Sequence, residues 1–541
     1  MVLGWSAQGE IIVMLRDYQR AIKSDIYNAW SGGARNVLAV APTGAGKTRI
    51  KADIAAECGV PFCAIAHRQE LVMQVSLALA HEGVPHRIIA PGGIIQAIIR
   101  EQIKQTGRSW YRPDAEVGVA GVDTLIRIKS DQWLARVQIW DIDEAHHVLP
   151  SNKWGKAASM FPNARGLGVT ATPVRADKQR LGDMFQALVV GPTMRELITR
   201  GYLADYRIYV PAQSIALDNV KISDSTGDYN ASGLRDASHK STITGDIVRD
   251  YQRFASGKRG ITFVVDIETA VATAEAFNAA GIRAEAVSSK TPDSVRAEML
   301  DRLRTGDILQ LVNVDLFGEG MDCPAIEVVS MGRPTQSYGL YVQQFGRGLR
   351  PSTGKTHGII IDHVGNVIRH NLPDVERVWS LDDDTGGKRS VADENVPLLT
   401  VCIECCLPRE RFRKICPYCG AVAVPASRGS IEHVDGDLLE LSPEAMDAMR
   451  RAMVKADELR VPYGADGGIM RRLENLHKER LATREQLRSA ISNWAGVEHH
   501  INQLTDSEIY RKFYLQFDVD IMSAQTLTTA DTLSLIGRIV K

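Results

Sequence analysis

The tightest constraint on how this chain folds lies in residues 37–48. A short apolar run, Val37 to Val40, passes into Ala-Pro-Thr-Gly-Ala-Gly-Lys-Thr and then into a helical pattern. Strand, glycine-rich turn and helix in that order make the turn a cradle for phosphate. Gly44 and Gly46 let backbone N–H groups curl around a β-phosphate, and the helix N-terminus adds positive potential. Lys47 is placed to neutralise β and γ oxygens, and Thr48 to ligate magnesium. The nucleotide-binding residues expected are therefore Thr43, Gly44, Ala45, Gly46, Lys47 and Thr48. Ala41 stands where the strict pattern has its first glycine. Such a turn by itself is also compatible with a plain link before a helix, so its surroundings decide.

A second apolar run, residues 137–142, ends in Asp143-Glu144-Ala145-His146. Open α/β sheets bind ligands at the carboxyl ends of their strands. Asp143 is thus expected to hold magnesium, and Glu144 to polarise an attacking water. A lone Asp-Glu pair usually reads as a solvated loop, but here chance would have to supply two nucleotide elements in the right order. Strand alternation puts Asp141 on the face of Asp143. Its carboxyl either supports the magnesium site from behind or is paired elsewhere for structure, and both readings stay open.

Apolar runs at 62–66, 117–120, 137–142 and 166–169 alternate with helical stretches, the pattern of a parallel sheet with crossover helices. At 541 residues the chain exceeds what one core holds. The fold class expected is α/β, with two tandem parallel-sheet domains followed by a small zinc knuckle and an α-helical C-terminal domain. The first α/β domain occupies residues 1–203, and a polar connecting segment rich in Ser, Asp, Gly and Thr occupies 204–245. The second domain, 246–380, opens on the strand Ile261 to Val265. A helix near 268–280 closed by Gly281 follows, then strands near 308–312 and 358–361. Residues 381–400 read as a linker, 401–424 as the knuckle and 425–541 as a helical accessory domain.

With these residues placed, the chain resembles the superfamily 2 DEAD/DEAH-box helicases. It is most similar to the branch of RadD-type and XPB-like proteins and the motor (Res) subunit of type III restriction enzymes. The resemblance covers about residues 11–375. Its elements stand in family order: Leu15-Arg16-Asp17-Tyr18-Gln19, Ala41 to Thr48, His67-Arg68-Gln69-Glu70-Leu71, Asp123-Thr124-Leu125, Asp143 to His147, and Thr170-Ala171-Thr172-Pro173. The second half continues with Phe263-Val264-Val265, Phe317-Gly318-Glu319-Gly320-Met321-Asp322, and Gln343-Gln344-Phe345-Gly346-Arg347-Gly348-Leu349-Arg350.

The resemblance implies two RecA-like domains with an ATPase centre between them. It implies that Gln19, with Arg16 nearby, recognises adenine, since an amide offers both the donor and the acceptor an adenine edge needs. Lys47, Asp143, Glu144, Arg347 and Arg350 would form the catalytic set, the two arginines lying three apart on one face of a helix. Thr170, Thr172 and Gln343 would couple hydrolysis to motion, and Gly320 and Asp322 would sense nucleotide. Arg68 and Thr124, with the stretches 266–268 and 315–317, would touch the phosphate backbone of a strand, giving sequence-independent, salt-sensitive binding. The cofactors implied are ATP and magnesium.

Cys402-x-x-Cys405 and Cys416-x-x-Cys419 have the spacing of a four-thiolate zinc site, with Cys406 able to replace Cys405. Between the pairs, residues 408–414 interleave four cations with an aromatic. That suits either a strand-contacting loop or a solvated loop on a structural zinc module. Tail aromatics such as Phe513 and Phe517 fall at helical spacing, which favours a core.

The balance of 64 Lys plus Arg against 65 Asp plus Glu leaves no general field for polyanions, so any nucleic-acid surface is a local patch. No run approaches the roughly 18 apolar residues of a membrane span, and the expected setting is cytoplasmic, at the nucleoid or in a phage-infected bacterial cell. The expected activity is ATP-driven movement along, or unwinding of, single-stranded or branched DNA in replication, recombination or repair, and the C-terminal domain is the expected surface for a protein partner. An RNA helicase and a nucleotide-gated subunit of a larger restriction-type complex are the alternatives.

Overall fold

The computed structural model describes residues 2–5, 11–129, 131–174, 180–211, 243–314, 316–317, 323–377, 379–381, 399–401, 408–410, 415, 420, 438–441, 443–452, 467–517, 519, 521–524, 527 and 529–540. A short antiparallel pair, β1 (Val2–Trp5) and β2 (Ile11–Met14), precedes two seven-stranded sheets. The first sheet is built from β3 (Asn36–Val40), β4 (Phe62–Ala66), β5 (His86–Ile89), β6 (Val117–Gly121), β7 (Ile139–Asp143), β8 (Arg165–Thr170) and β9 (Ala187–Val190). Its order is β5-β6-β4-β7-β8-β3-β9, and every pairing is parallel. Strands covered on both faces are apolar throughout, as β4 is. β7 is buried over its whole length too, yet carries two aspartates.

The second sheet takes β10 (Asp205–Pro211), β11 (Gly260–Phe263), β12 (Ala284–Val287), β13 (Gln310–Asn313), β14 (Val328–Met331), β15 (His357–Asp362) and β18 (Leu438–Glu440), in the order β12-β13-β11-β14-β15-β10-β18. All of its pairings are parallel except β18, which runs antiparallel to β10. Between β15 and β18 in sequence, β16 (Leu399–Val401) and β17 (Pro408–Glu410) form a separate antiparallel pair. The helix expected near 268–280 spans Ile267–Ala279, and Gly281 after it has φ +78°.

Three boundaries differ from the sequence expectation. Residues 205–211, assigned to the connecting segment, form β10 inside the second sheet. Asp205 and Arg207 give this strand the look of a linker. They face outward, and Arg207 makes a two-pronged ion pair with Glu440, Nε–Oε1 and Nη2–Oε2 both 2.6 Å. Residues 438–452, assigned to the accessory domain, instead belong to the second lobe. β18 extends the sheet, and Leu441, Met446 and Met449 from there onward join its apolar cluster. Finally, Trp379 and Leu381, at the second domain's expected end, cross back to the first lobe. There they pack beside Leu181 and Phe185, and Gly182 N–H donates to the Leu381 carbonyl at 2.9 Å.

Downstream, the helices Gly467–His500, Asp506–Phe517 and Thr529–Ile539 share an apolar cluster in which Phe513, Phe517 and Leu535 are buried. Those tail aromatics are core residues. Among the described residues no helix is long and apolar enough to cross a membrane.

Candidate active site

Three neighbouring strands of the first sheet, β7, β8 and β3, end at the same edge, and each delivers one nucleotide element there. β3 runs into the phosphate loop, which enters helix α2 (Lys47–Glu57). Gly46 has φ +78°, and a Cβ there would come within 2.5 Å of Gln19 Nε2, so both backbone angle and space demand glycine. Gln19 lies in α1 (Asp17–Ser31) and braces this loop. Its Oε1 accepts from Arg16 N at 2.9 Å and its Nε2 donates to the Ala45 carbonyl at 2.9 Å, where the Tyr18 hydroxyl also donates at 2.9 Å. An amide has two N–H donors and two lone pairs. These bonds take one of each and leave one of each, the pairing an adenine edge requires. Arg16 lies over the Tyr202 ring at 4.7 Å. Tyr18 and Tyr202 are thus parts of this patch that sequence reasoning did not single out, although Tyr18 sits inside the quoted Arg16-to-Gln19 element.

β7 ends on Asp143, and Glu144 follows with φ +49°, a left-handed conformation uncommon for a residue with a Cβ. Glu144 N–H donates to Asp143 Oδ1 at 3.0 Å. The other oxygen, Oδ2, accepts from Lys51 Nζ at 3.0 Å, and Lys51 also lies 3.3 Å from Asp141 Oδ2. Burial pushes the Asp141 carboxyl up to about 7 against the pull of Lys51. Burial acts on Asp143 in the same sense, but Lys51 and Lys47 outweigh it and hold that carboxyl below its ordinary range. Asp141 is therefore paired, and its partner is a buried lysine that also bonds Asp143. The signal in the sequence was a lysine on the buried face of α2, four residues after Lys47.

Burial likewise pushes the Lys47 ammonium below its ordinary value, against Glu144 and Asp143, while Lys51 and Arg347 add to the downward push. Lys47 donates to the Ala41 carbonyl at 3.2 Å. Lys47 and the nearby Arg347 thus concentrate positive charge where a polyanion would sit. A magnesium ion bound here would be held by the Thr48 hydroxyl and the Asp143 carboxylate. An all-oxygen set with a charged member fits that hard cation.

The second lobe rests on the phosphate loop. Its helix Tyr338–Gly346 ends so close to Thr43 that a Cβ at Gly346 would lie 2.8 Å from Thr43 Cβ. The helix stops there, and Arg347 begins a 3₁₀ turn, Arg347–Leu349, with Arg350 extended after it. The expectation that both arginines share one α-helical face is corrected accordingly. The turn packs tightly on β15, where a Cβ on Gly358 would meet the Gly348 carbonyl at 2.3 Å. Arg347 is buried near Lys47, and the Arg350 stem approaches Gly44. Gln343 is buried in the same helix, and Thr172 lies against its Gly339. Thr170 Oγ1 donates to the Thr172 carbonyl at 3.0 Å and lies 3.0 Å from His146 Nδ1, joining the ends of β7 and β8.

Arg68 and Thr124 follow β4 and β6, adjacent strands on the other half of the sheet edge. Arg68 Nη1 donates to the Leu316 carbonyl of the second lobe at 2.5 Å, and Glu70 pairs with Arg296 at 2.9 Å. The structure therefore brings Arg68 to one of the two expected strand-contacting stretches of the other lobe. Gly320, Asp322 and the cysteines Cys402, Cys405, Cys406, Cys416 and Cys419 lie outside the described residues. Among the described residues no three His, Cys, Asp or Glu side chains converge as a metal-ligand set.

Two family models match. Residues 12–175 match the type III restriction enzyme, res subunit, and residues 243–352 the helicase conserved C-terminal domain. A 51.5 kDa protein of a Lactococcus phage (isolate 7-9) is 31% identical over 382 residues, covering 70% of this chain and 76% of that protein. A Saccharomyces cerevisiae protein named for an ATP-dependent helicase, IRC3, is 26% identical over 370 residues, 65% of this chain. The chain spans 52% of that yeast protein's length. Among solved structures, a fragment named as the HsdR subunit of a type I restriction enzyme from Vibrio vulnificus YJ016 aligns with a TM-score of 0.50 at 19% identity. The alignment covers 66% of each chain, a likeness of fold.

Proposed function

Because the chain belongs to the superfamily 2 helicases of the type III restriction-like branch, which are ATP-hydrolysing nucleic-acid motors, we propose that it is a DNA translocase or helicase acting on single-stranded or branched DNA in replication, recombination or repair. The observation that carries the mechanism is the division of the site. Lys47, Asp143 and Glu144 stand on one lobe, while Arg347 and Arg350 reach the phosphate loop from the other. Gln19 and Arg16 take the adenine edge, and the loop from Thr43 to Thr48 wraps the phosphates. Thr48 and Asp143 would hold magnesium, which when bound would draw charge from the phosphate oxygens. Glu144 accepts the proton of the attacking water. Arg347 and Arg350 bear on the charge that develops at the γ-phosphoryl.

Since neither lobe holds the whole set, closing the lobes switches chemistry on and reopening switches it off. Thr170, Thr172 and Gln343 link that movement to the carboxylates, with Gly320 and Asp322 as nucleotide sensors. Arg68 and Thr124 take the strand backbone beside the ATP side of the same sheet edge, so binding is sequence-independent. The choice of DNA rests on the Arg-x-Tyr-Gln and DEAH-His elements. ATPase stimulation by DNA and RNA oligonucleotides of one sequence tests it. Stimulation by DNA and not by RNA is expected, and equal or stronger stimulation by RNA overturns the DNA reading.

Cys402, Cys405, Cys416 and Cys419 are read, on their spacing, as a structural zinc site. Metal analysis of reduced, freshly purified protein is expected to find about one zinc per chain, removed by a strong chelator. Absence of zinc would end that reading. The helical tail is an accessory or a partner-binding domain in this scheme. The cellular setting we propose is a bacterial cytoplasm, at the nucleoid or during phage infection, as the phage relative suggests.

A further inference from the structure

We infer that Lys51 is a positioning residue for the magnesium site, clamping Asp143 through one carboxylate oxygen while Asp141 anchors Lys51 from below. Two periodicities make the arrangement. Lys47 and Lys51 are one turn apart on α2, a rise of about 6 Å. Asp141 and Asp143 are two residues apart on β7, about 6.6 Å along the same face. Helix and strand therefore present two rungs that match in spacing, with Asp143 shared between Lys51 and the phosphate side.

Lys51 and Asp141 are almost wholly buried, at 1% and 0% side-chain exposure. A buried ion pair is weak as a source of stability, because desolvation offsets most of the attraction, and apolar residues of similar volume serve the fold as well. Its placement is more informative. The pair joins the helix that follows the phosphate loop to the strand that ends on Asp143, and Lys51 continues it with a 3.0 Å bond to Asp143 Oδ2. The Glu144 N–H donates to Oδ1 at 3.0 Å, so each oxygen of Asp143 is held by one donor and keeps acceptor capacity for a metal. Groups that orient a metal's carboxylate ligand in this way govern metal affinity. This inference rests on the reading of Asp143 as the magnesium carboxylate.

The test is the double variant Lys51→Met/Asp141→Leu, which removes the basic and the acidic group of the pair together. Binding of a fluorescent, non-hydrolysable ATP analogue is titrated against magnesium, with thermal melting as the fold control. The expected result is a native melting transition and a rise of about 10- to 100-fold in the magnesium needed for half-saturation. Analogue binding without magnesium should be unaffected. An unchanged magnesium requirement in a folded double variant overturns the inference and leaves the pair as packing. If the double variant does not fold, Asp141→Asn keeps the volume and throws the whole Lys51 charge onto Asp143. A raised magnesium requirement is expected there as well, and an unchanged one again overturns the inference. Asp143→Asn is run in parallel. If it leaves the magnesium dependence untouched, the fault lies in the assignment of Asp143 and not in the role of Lys51.

Discussion

Replacing Arg347 with alanine is expected to lower the maximal ATPase rate about a thousandfold, some 4 kcal/mol of transition-state stabilisation, while leaving ATP-analogue affinity within a few-fold. Arg347 is buried in the 3₁₀ turn that meets the phosphate loop, and its charge is felt at Lys47. A cation delivered from the opposite lobe acts most strongly when charge builds on the transferring group, so the loss belongs in kcat rather than in binding. Arg347→Lys should recover only part of the rate, since an ammonium lacks the planar fork. A kcat within about threefold of the parent enzyme would remove Arg347 from the catalytic set.

Glu144→Gln is expected to cut hydrolysis by 10²- to 10⁴-fold and to retain ATP binding, because the amide keeps the volume of the carboxylate but accepts no proton. Glu144 keeps a left-handed backbone and an N–H bond to Asp143, its Oε2 lies 3.5 Å from His146 Nδ1 and its charge is felt at Lys47, and glutamine preserves the backbone arrangement. Stopped hydrolysis with analogue binding intact, measured beside strand displacement, separates two kinds of machine. If displacement stops with hydrolysis, the chain is a motor. If displacement continues at the parent rate, ATP merely locks a clamp, and the translocase reading fails.

Much of the first sheet was legible because its strands are continuous apolar runs between turn residues, as in Phe62–Ala66 and Arg165–Thr170. β5 and β9, four residues each at the sheet's two edges, offer too short a pattern to stand out. β10 was hidden by outward-facing Asp205 and Arg207, and β18 lies more than two hundred residues from the strand it pairs with. In the site, ordered elements named Lys47, Asp143, Glu144, Arg347 and Arg350 without contact information. The same reading missed Lys51, because a lysine in a helix is ordinarily solvated and only its partner on a distant strand makes it a buried ion.

What the sequence by itself determined was which residue types stand at each turn: a glycine-rich loop before a helix, a carboxylate pair at a strand end, and two arginines downstream. Residue type and local spacing carry that information, since loop, strand end and turn are each set by neighbours along the chain. What only the tertiary structure decided was how these parts meet. It set the seam of Gly346 against Thr43, the end of the α-helix before Arg347, and the Lys51 bridge from Asp141 to Asp143. Those depend on the approach of segments tens to hundreds of residues apart, where a clash of one Cβ or the desolvation of one charge selects the arrangement, and no local pattern encodes it.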